Sequence, residues 1–319
     1  MSPISAIQTI NHPIFKQHKI SVQIKRDDQI DKVISGNKWR KLKYNLRHAK
    51  AIGADGIITF GGCFSNHIHA CALACKQQQL SAIGIIRGEQ SNHNNYTLSW
   101  AQHWGMQLSF VDRKTYRFRN DLDYLQRLQK QYPNYLIVPE GGSNSLALTG
   151  MAEVIDELNH QCEFDTIMSP VGSGGTLAGL ILGDKAQHEI LGISVLKQQN
   201  YLEQHVNELL PEHAKSYQNW QIMNQFHRGG YAKFTPDDAQ RIHSFAQHVG
   251  VGFEPVYSGK MILALLDLMQ AGYFSEHQRI VLLHTGGLQG LAGMFDRGLL
   301  AKQDWPELPI APINQQSSS

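Results

Sequence analysis

The sequence has few cysteines, no long hydrophobic run and almost no excess charge of either sign. Its four cysteines in 319 residues are too few for a disulfide framework, which favours a reducing compartment. The longest apolar stretch, near Met261–Leu268, contains Asp267 and is far too short to cross a bilayer. A net charge of +2 gives no basic surface for nucleic acid, and residues 1–15 lack the apolar segment of a signal peptide. We therefore expect a soluble, cytoplasmic protein without nucleic-acid or membrane partners.

Cysteine and histidine are nevertheless concentrated in one short stretch, which contains no Cys-x-x-Cys pair. His67, Cys71 and Cys75 follow the i, i+4, i+8 spacing of one helical face, so a metal-binding module is one interpretation. The plainer interpretation is that these small side chains form the buried face of a helix, and we predict no metal site. The residues concerned are Cys63, His67, His69, Cys71 and Cys75.

Short apolar runs alternate with helical patterns along most of the chain, after a start over residues 1–18 that we predict to be irregular. The predicted strands are 20–24, 56–60, 82–86, 107–111, 135–138, 166–169, 190–195, 221–226 and 280–283. The predicted helices are 39–51, 66–79, 94–104, 120–131, 146–160, 177–183, 202–209, 236–248 and 260–270. Such alternation with short connections is typical of parallel sheets covered by helices on both faces.

The alternation runs to about residue 142 and then starts again, which indicates two sheets on one chain. We predict an α/β fold of two three-layer open-sheet domains, with functional groups at strand ends facing a shared cleft. The predicted large domain comprises residues 1–45 and 150–313, and the small domain comprises residues 46–149. The low-complexity tail, residues 314–319, is predicted to be disordered.

A polar, glycine-containing turn at Ser35–Lys38 leads directly into the helix predicted over 39–51. Lys38 therefore lies at the first helical turn, where free backbone N–H groups and the positive end of the helix dipole disfavour an ammonium. An amine in that place is suited to attack a carbonyl. The plainer alternative is one more basic residue in a cluster with Arg40, Lys41 and Lys43. Ser35-x-x-Lys38 also matches serine acyl-enzymes, but their Ser-Asp-Asn and Lys-Thr-Gly motifs are missing.

A glycine-rich loop, Val171–Thr176, follows a predicted strand and opens a predicted helix. Glycines let the backbone approach an anion closely, and the N–H groups at the helix start can hold a phosphate. The loop is neither a Walker A motif nor Gly-x-Gly-x-x-Gly, so a small phosphate ester is favoured over a nucleotide, and a purely structural turn stays an alternative. The predicted phosphate ligands are Gly172, Ser173, Gly174, Gly175 and Thr176.

Polar side chains also occur at three other strand or helix ends. Ser65 and Asn66 follow Gly61-Gly62, where either is a natural N-cap and the free N–H groups can receive a carboxylate. Tyr231 and Tyr257 lie in glycine-containing turns, and Thr285 ends the last strand; core tyrosines are the plainer alternative. A lysine, a phosphate loop and hydroxyl groups at strand ends together indicate pyridoxal 5'-phosphate.

Five motifs in this order resemble the 1-aminocyclopropane-1-carboxylate deaminase / D-cysteine desulfhydrase family of fold-type II (tryptophan-synthase-β-like) pyridoxal-phosphate enzymes. The resemblance covers about residues 10 to 300. The motifs are Ser35–Leu42, Ser65-Asn66, Gly172–Thr176, Glu254–Lys260 and His284–Gly287.

The resemblance implies a role for each of these positions. Lys38 would form the Schiff base with the cofactor, and Val171–Thr176 would wrap its phosphate. Ser65 and Asn66 would meet the substrate carboxylate and the cofactor, with His67 also binding the substrate. His67-Ile68-His69 departs from relatives, which often carry Gln or His followed by Thr/Ala-Arg, and this departure bears on the carboxylate pocket. Tyr231 and Tyr257 would flank a small amino-acid substrate, and the protein would be a homodimer.

The residue after the second tyrosine bears on the substrate. In relatives that open the cyclopropane ring it is a glutamate that reaches the pyridine nitrogen, whereas here it is Ser258. Ser258 and Thr285 offer only neutral hydroxyls, which suits β-elimination because the leaving thiolate takes the electrons. We therefore expect D-cysteine desulfhydrase activity. The alternatives are deamination of 1-aminocyclopropane-1-carboxylate to 2-oxobutyrate, and a non-catalytic protein that binds pyridoxal phosphate or a metal.

Overall fold

Strands and helices alternate along the chain, as the apolar pattern predicts. The computed structural model describes residues 3–34, 36–89, 95–197 and 200–308. The strands in these ranges are β1 (Ile7–Ile10), β2 (Ser21–Lys25), β3 (Gly56–Gly62), β4 (Ser81–Arg87), β5 (Met106–Val111), β6 (Tyr135–Val138), β7 (Thr166–Val171), β8 (Glu189–Ser194), β9 (Trp220–Met223) and β10 (Arg279–Leu283). The α-helices are α1 (Pro13–Gln17), α2 (Asn37–Ala51), α3 (Asn66–Gln77), α4 (Tyr96–His103), α5 (Arg113–Tyr116), α6 (Leu122–Gln131), α7 (Ser145–Gln161), α8 (Gly175–Asp184), α9 (Tyr201–Leu209), α10 (Pro236–Val249), α11 (Ser258–Gln270) and α12 (Leu291–Phe295).

Within the described ranges the strands form two sheets. The first has the order β1-β2-β10-β7-β8-β9, and the second has the order β5-β4-β3-β6. β1 pairs with β2 in antiparallel fashion, and the other pairings are parallel. The crossover helices that parallel strands require cover the sheets, which is the predicted α/β architecture.

Each sheet is packed on both faces. In the first sheet, Ile280 and Leu282 pack toward α10 and α11, whereas Val281 and Leu283 pack toward α7 and α8. In the second sheet, Ile57 packs toward α2 and α3, and Ile58 packs toward Tyr116 and α6. This alternation of consecutive residues follows from the two-residue period of a strand and gives three layers in each case.

The structure corrects the start of the chain. The prediction that residues 1–18 are irregular is wrong over Ile7–Ile10 and Pro13–Gln17, which form β1 and α1. β1 is short and only half apolar, so its pattern is weak, and it is stabilised by pairing with β2 in the register Ile7 to Lys25. The strand predicted over 221–226 ends at Met223 and continues as a 3-10 turn.

Other sequence predictions have different outcomes. The division of the strands between two sheets is compatible with the predicted domains, whose boundaries at residues 45 and 149 stay a prediction. The predicted disordered tail, residues 314–319, lies outside the described residues. No helix in the described part combines the length and the apolar character needed to cross a membrane.

Candidate active site

A cavity of about 670 Å³ opens at the carboxyl ends of parallel strands from both sheets. This is where ligands bind in open α/β sheets, because strand ends and helix starts present free polar groups there. Two predicted site residues, Gly175 and Ser258, do not line it. The predicted site residues that line it are Lys38, Ser65, Asn66, His67, Gly172, Ser173, Gly174, Thr176, Tyr231, Tyr257 and Thr285.

Lys38 is the second residue of α2, and its position depends on the glycine before that helix. Gly36 has φ +69°, and a Cβ there would come within 1.8 Å of the Thr285 carbonyl oxygen. The turn therefore packs directly on the end of β10, and the Asn37 N–H donates to Thr285 O at 3.3 Å. Burial lowers the pKa of Lys38 to about 8. A substantial fraction of its amine is thus neutral near physiological pH, as a nucleophile or base requires.

Lys41 also lines the cavity, although the sequence analysis did not assign it a role. Its Nζ donates to Ser143 Oγ at 3.0 Å and to the Gly141 carbonyl at 3.3 Å. Burial, followed by the charge of Lys38, lowers its pKa well below the usual range. Its spacing of three residues from Lys38 on one helix was a signal that could have found it.

The predicted phosphate loop, Val171–Thr176, joins β7 to α8 and lies beside Lys41. Gly174 has φ +73°, and a Cβ on Gly175 would lie 3.0 Å from Lys41 Nζ and 2.5 Å from Ser143 Oγ. Only glycine at position 175 therefore lets this lysine approach the first turn of the helix. Ser173 Oγ is 2.7 Å from Ser143 Oγ, and Thr176 Oγ1 accepts from Asn37 Nδ2 at 2.8 Å. The site combines a helix N-terminus with a buried lysine, whose ammonium form a bound anion would favour.

His67 is buried, and its hydrogen bonds determine its tautomer. Thr59 Oγ1 donates its single proton to the Val138 carbonyl at 2.8 Å, so it accepts from His67 Nε2 at 2.8 Å. The other ring nitrogen, Nδ1, is buried without a partner among the described residues. Burial, then Lys38 and Lys41, keep the His67 pKa well below its usual value, so the ring stays neutral. An unprotonated Nδ1 accepts a hydrogen bond, so it suits a ligand N–H or O–H group rather than the carboxylate that the sequence predicts.

The start of α3 supplies two further groups. Ser65 is the N-cap, and its Oγ accepts from the Ile68 N–H at 3.3 Å, which leaves the hydroxyl proton available. Asn66 Oδ1 is buried and has no partner among the described residues, and a Cβ on Gly287 would lie 2.9 Å from Asn66 Nδ2. Both side chains thus hold unused hydrogen-bonding capacity at the cavity.

Tyr231 and Tyr257 come together as the sequence predicts. Their hydroxyl oxygens are 3.4 Å apart, and their rings meet edge to face with centroids 5.9 Å apart. Burial raises the pKa of Tyr231, and burial and the neighbouring phenol raise the pKa of Tyr257 well above its usual value. Both phenols therefore keep their protons at neutral pH.

The two hydroxyl residues predicted near a pyridine nitrogen lie in different places. Thr285 lines the cavity at the end of β10. Ser258 is fully buried at the start of α11, where its Oγ accepts from the Glu254 N–H at 3.0 Å and donates to Glu254 Oε1 at 3.1 Å. The Glu254 carboxylate also accepts the Val256, Tyr257 and Ser258 N–H groups, while burial raises its pKa to about 7. The sequence alone could not reveal that Ser258 is bonded to Glu254.

The cysteine- and histidine-rich stretch does not form a metal centre in the described residues. No group of three or more histidine, cysteine or acidic side chains with metal-binding geometry is found there. Cys71 Sγ and Cys75 Sγ lie 3.9 Å apart in the buried face of α3. The helix-core interpretation accounts for both.

Comparison with known proteins assigns the family. The model of the family described as pyridoxal-phosphate dependent enzyme matches residues 7–286. The chain belongs to this family. The predicted enzyme class, the fold-type II architecture and the dependence on pyridoxal phosphate are confirmed.

The similar proteins support the predicted resemblance. A Pyrococcus horikoshii protein provisionally named 1-aminocyclopropane-1-carboxylate deaminase is 31% identical over 305 residues, covering 91% of this chain and 90% of its own length. A bifunctional mitochondrial D-cysteine desulfhydrase/1-aminocyclopropane-1-carboxylate deaminase of Arabidopsis thaliana is 29% identical, covering 90% of this chain and 77% of the plant protein. The crystal structure of an ACC deaminase homologue is 30% identical, with a TM-score of 0.80 over 93% of this chain and 94% of that one.

The residues of the cavity fit the cofactor of this pyridoxal-phosphate family. The start of α8 and Lys41 can hold the phosphate, and Lys38 is an amine of lowered pKa in the same cavity. Asn66 Oδ1 and His67 Nδ1 are buried acceptors without partners among the described residues, as expected where a polar ligand binds. Eleven of the thirteen site residues predicted from the sequence thus line the cavity, and Lys41 was missed.

Proposed function

We propose that the protein breaks down D-cysteine to pyruvate, ammonia and sulfide. The observation that carries the proposal is that an amine, Lys38, and two phenols, Tyr231 and Tyr257, line the same cavity. Lys38 has a pKa of about 8, whereas Tyr231 and Tyr257 keep their protons. A base and two acids in one cavity suit β-elimination, in which one proton is removed from Cα and another is given to the leaving group.

Bound pyridoxal phosphate supplies the chemistry that makes a Cα proton acidic, because it bonds the substrate amine and withdraws electrons. The chain supplies the proton transfers. Lys38, as a neutral amine, takes the Cα proton, and Tyr257 donates a proton to the leaving sulfur with Tyr231 beside it. The free aminoacrylate product then hydrolyses to pyruvate and ammonia.

We assign binding roles to the remaining polar groups. The Ser65 hydroxyl and the free N–H groups at the start of α3 suit the substrate carboxylate. His67 Nδ1 suits an N–H group, since it can only accept. Lys41 and the loop Gly172–Thr176 suit the cofactor phosphate, and Thr285 suits the ring nitrogen.

The second candidate is ring opening of 1-aminocyclopropane-1-carboxylate, which is supported by the names of two similar proteins. That substrate has no Cα hydrogen, so a nucleophile or base must act on the ring. Tyr257 would be the group for this task. The same phenol serves as the acid in the desulfhydrase reaction, so the keto acid that forms distinguishes the two reactions.

The test is the identity of the keto acid formed by the holoenzyme. We expect pyruvate and sulfide from D-cysteine, no more than a trace of product from 1-aminocyclopropane-1-carboxylate, and loss of both in Lys38→Ala. Tyr257→Phe should slow turnover while the absorbance of the bound cofactor is retained. If 2-oxobutyrate formed faster than pyruvate at equal substrate concentration, the ring-opening reaction would replace our proposal.

We further propose that the protein acts in the cytoplasm as a homodimer. Its cysteines are free thiols, which is compatible with a reducing compartment. Light scattering coupled to gel filtration would measure the assembly, and a monomer mass would contradict the dimer.

A further inference from the structure

Lys260 is a fully buried lysine close to the cavity that does not line it. It is the third residue of α11, and its side chain is completely inaccessible to solvent. Its Nζ lies 2.6 Å from the Gly230 carbonyl oxygen, 2.8 Å from that of His227 and 3.4 Å from that of Val195. Among the described residues no carboxylate forms an ion pair with it.

The number of acceptors around Nζ favours the charged form of this side chain. An ammonium has three N–H donors, and the three carbonyl oxygens match them one to one. A neutral amine would offer two N–H donors to the three oxygens, of which the His227 and Gly230 carbonyls also accept the Gly230 and Lys233 N–H groups at 3.0 and 3.1 Å. Burial lowers the pKa of Lys260 to about 8, so the ammonium predominates below that pH, where the surrounding carbonyl dipoles favour it.

The segment that provides two of these carbonyls has an unusual backbone. Arg228, Gly229 and Gly230 have φ values of +50°, +90° and +112°, in the left-handed region. Such a run is costly for Arg228 and turns the carbonyls of His227 and Gly230 toward the same point. Convergent carbonyl groups repel each other unless a cation lies between them. Lys260 therefore compensates for the conformation of this segment.

The next residue in the chain is Tyr231, whose phenol meets Tyr257 in the cavity. We propose that Lys260 is a built-in cation that holds the segment 227–230 and thereby positions Tyr231 over the active site. Lys260 is a positioning residue, because it acts through Tyr231 and not on the substrate. The proposal holds whichever substrate is correct.

A consequence follows for variants without the ammonium. If the side chain is shortened to alanine, three carbonyl oxygens face a space that held a monovalent cation. Groups of backbone carbonyls replace the hydration shell of potassium in proteins, so this space should accept K⁺, NH₄⁺ or methylammonium. In the natural protein the space is filled, so activity should not depend on the cation supplied.

The experiment compares holoenzyme variants in choline, potassium and methylammonium chloride at equal ionic strength. In choline, we expect Lys260→Ala to raise KM and lower kcat/KM on the order of 10- to 100-fold, because a displaced side chain misplaces the substrate. Potassium or methylammonium should raise the kcat/KM of Lys260→Ala several-fold and raise its Tm. Neither cation should change the kcat/KM or the Tm of the natural protein. Lys260→Met fills the space without a charge, so it should show the loss without the restoration.

Two controls separate positioning from general destabilisation. Lys19→Met removes a lysine from an exposed pair with Glu276 and should match the natural protein in every salt. In a Tyr231→Ala background, Lys260→Met should add little further loss of activity, since the two changes act through one group. Three outcomes would overturn the proposal. They are additive losses of activity in the double variant, a KM and kcat of Lys260→Met equal to those of the natural protein, and a Tm of Lys260→Ala that no cation raises.

Discussion

Lys38 and Lys41 lie one turn apart on α2 and are suited to different tasks. Burial lowers the pKa of both, and for Lys41 the charge of Lys38 adds to the effect. A phosphate beside Lys41 would offset this cost, because an anion favours the ammonium form. In the proposed function, Lys41 would then neutralise the phosphate, and Lys38 would be the amine that reacts.

Thr59 fixes the proton of His67, and Thr59→Val tests that assignment. Valine neither donates to the Val138 carbonyl nor accepts from Nε2, so the His67 proton becomes free to move to Nδ1. We expect the ¹⁵N chemical shifts of His67 to show an unprotonated Nδ1 in the natural protein and a mixture in the variant. Stability should fall by about 1–3 kcal/mol for the groups left unpaired.

Thr59→Ser is the matched control, because it keeps the hydroxyl. It should preserve the tautomer even if packing suffers from the lost methyl group. A natural protein whose His67 carries its proton on Nδ1 would contradict the assignment, whatever the variants show.

Ser258→Ala separates the structural role of this hydroxyl from contact with the cofactor. Because Ser258 Oγ is bonded to Glu254, we expect a loss of about 1 kcal/mol in the free energy of unfolding. The absorbance spectrum of the bound cofactor should not change. Thr285→Val, at a residue that lines the cavity, should shift it. A spectral shift in Ser258→Ala with none in Thr285→Val would instead support the contact that the sequence predicts for Ser258.

At the scale of elements, α3 and α4 enclose a second neutral histidine. His69 lies against Trp104, with ring centroids 4.8 Å apart, and its Nδ1 has no partner among the described residues. Burial lowers the pKa of His69 to about 4, from an ordinary value of 6.5. This ring packs as an aromatic core residue and plays no part in the cavity.

The lowered pKa of His69 predicts that the free energy of unfolding decreases in acid. Above the unfolded pKa of 6.5 both states are neutral, so the contribution of His69 is complete there. Between pH 6.5 and about 4 only the unfolded state takes up the proton, so stability falls as pH falls. The loss amounts to roughly 3 kcal/mol.

His69→Phe should flatten this part of the stability profile. Urea unfolding at several pH values between 4 and 8 would measure it, with the exposed His277 replaced by phenylalanine as the control. An unchanged slope in His69→Phe would show that other groups cause the acid sensitivity.

The elements show what the sequence could and could not predict. Elements with a clear apolar pattern were predicted closely. An example is α11, which was predicted over 260–270 and is observed over Ser258–Gln270, with its apolar run buried nearly all round. β1 was missed because its stability comes from a partner strand and not from its own pattern. The contact of Ser258 was also missed. Its partner Glu254 is close in sequence, but the orientation of the Ser258 hydroxyl depends on the N-terminal turn of α11. Lys41 was missed because its three-residue spacing from Lys38 is a weak signal within a cluster of basic residues.

At the scale of the whole molecule, a buried group of charges joins the start of the chain to α2 and α7. Arg40 donates to both oxygens of Asp27 at 2.7 and 2.8 Å and to Glu157 at 2.8 Å, and Lys25 pairs with Glu157 at 2.6 Å. The side chains of Arg40 and Asp27 are fully buried. Since Arg40 is two residues after Lys38, this group also fixes the helix that carries the reactive amine.

Asp27→Ala should therefore be severely destabilising. It leaves the Arg40 guanidinium buried with part of its charge uncompensated, which costs about 3–5 kcal/mol. Glu276→Ala removes a carboxylate from an exposed pair and should change the free energy of unfolding by about 0.5 kcal/mol or less. Urea denaturation of both variants gives the comparison, and equal effects would mean that the buried group contributes no more than a surface pair.

The strand order has a consequence for how the protein is made on the ribosome. The second sheet is continuous in sequence, with its strands between residues 56 and 138, whereas β2 pairs with β10, which ends at Leu283. At about 5–20 residues per second, β2 waits on the order of 10 to 50 seconds for this partner to be synthesised. Throughout this interval the backbone of β2 is open on one side to wrong pairing or to chaperones. Lys38 is synthesised near the beginning of this interval and Thr285 near its end. The cofactor can therefore meet a complete site only after nearly all of the described chain has left the ribosome.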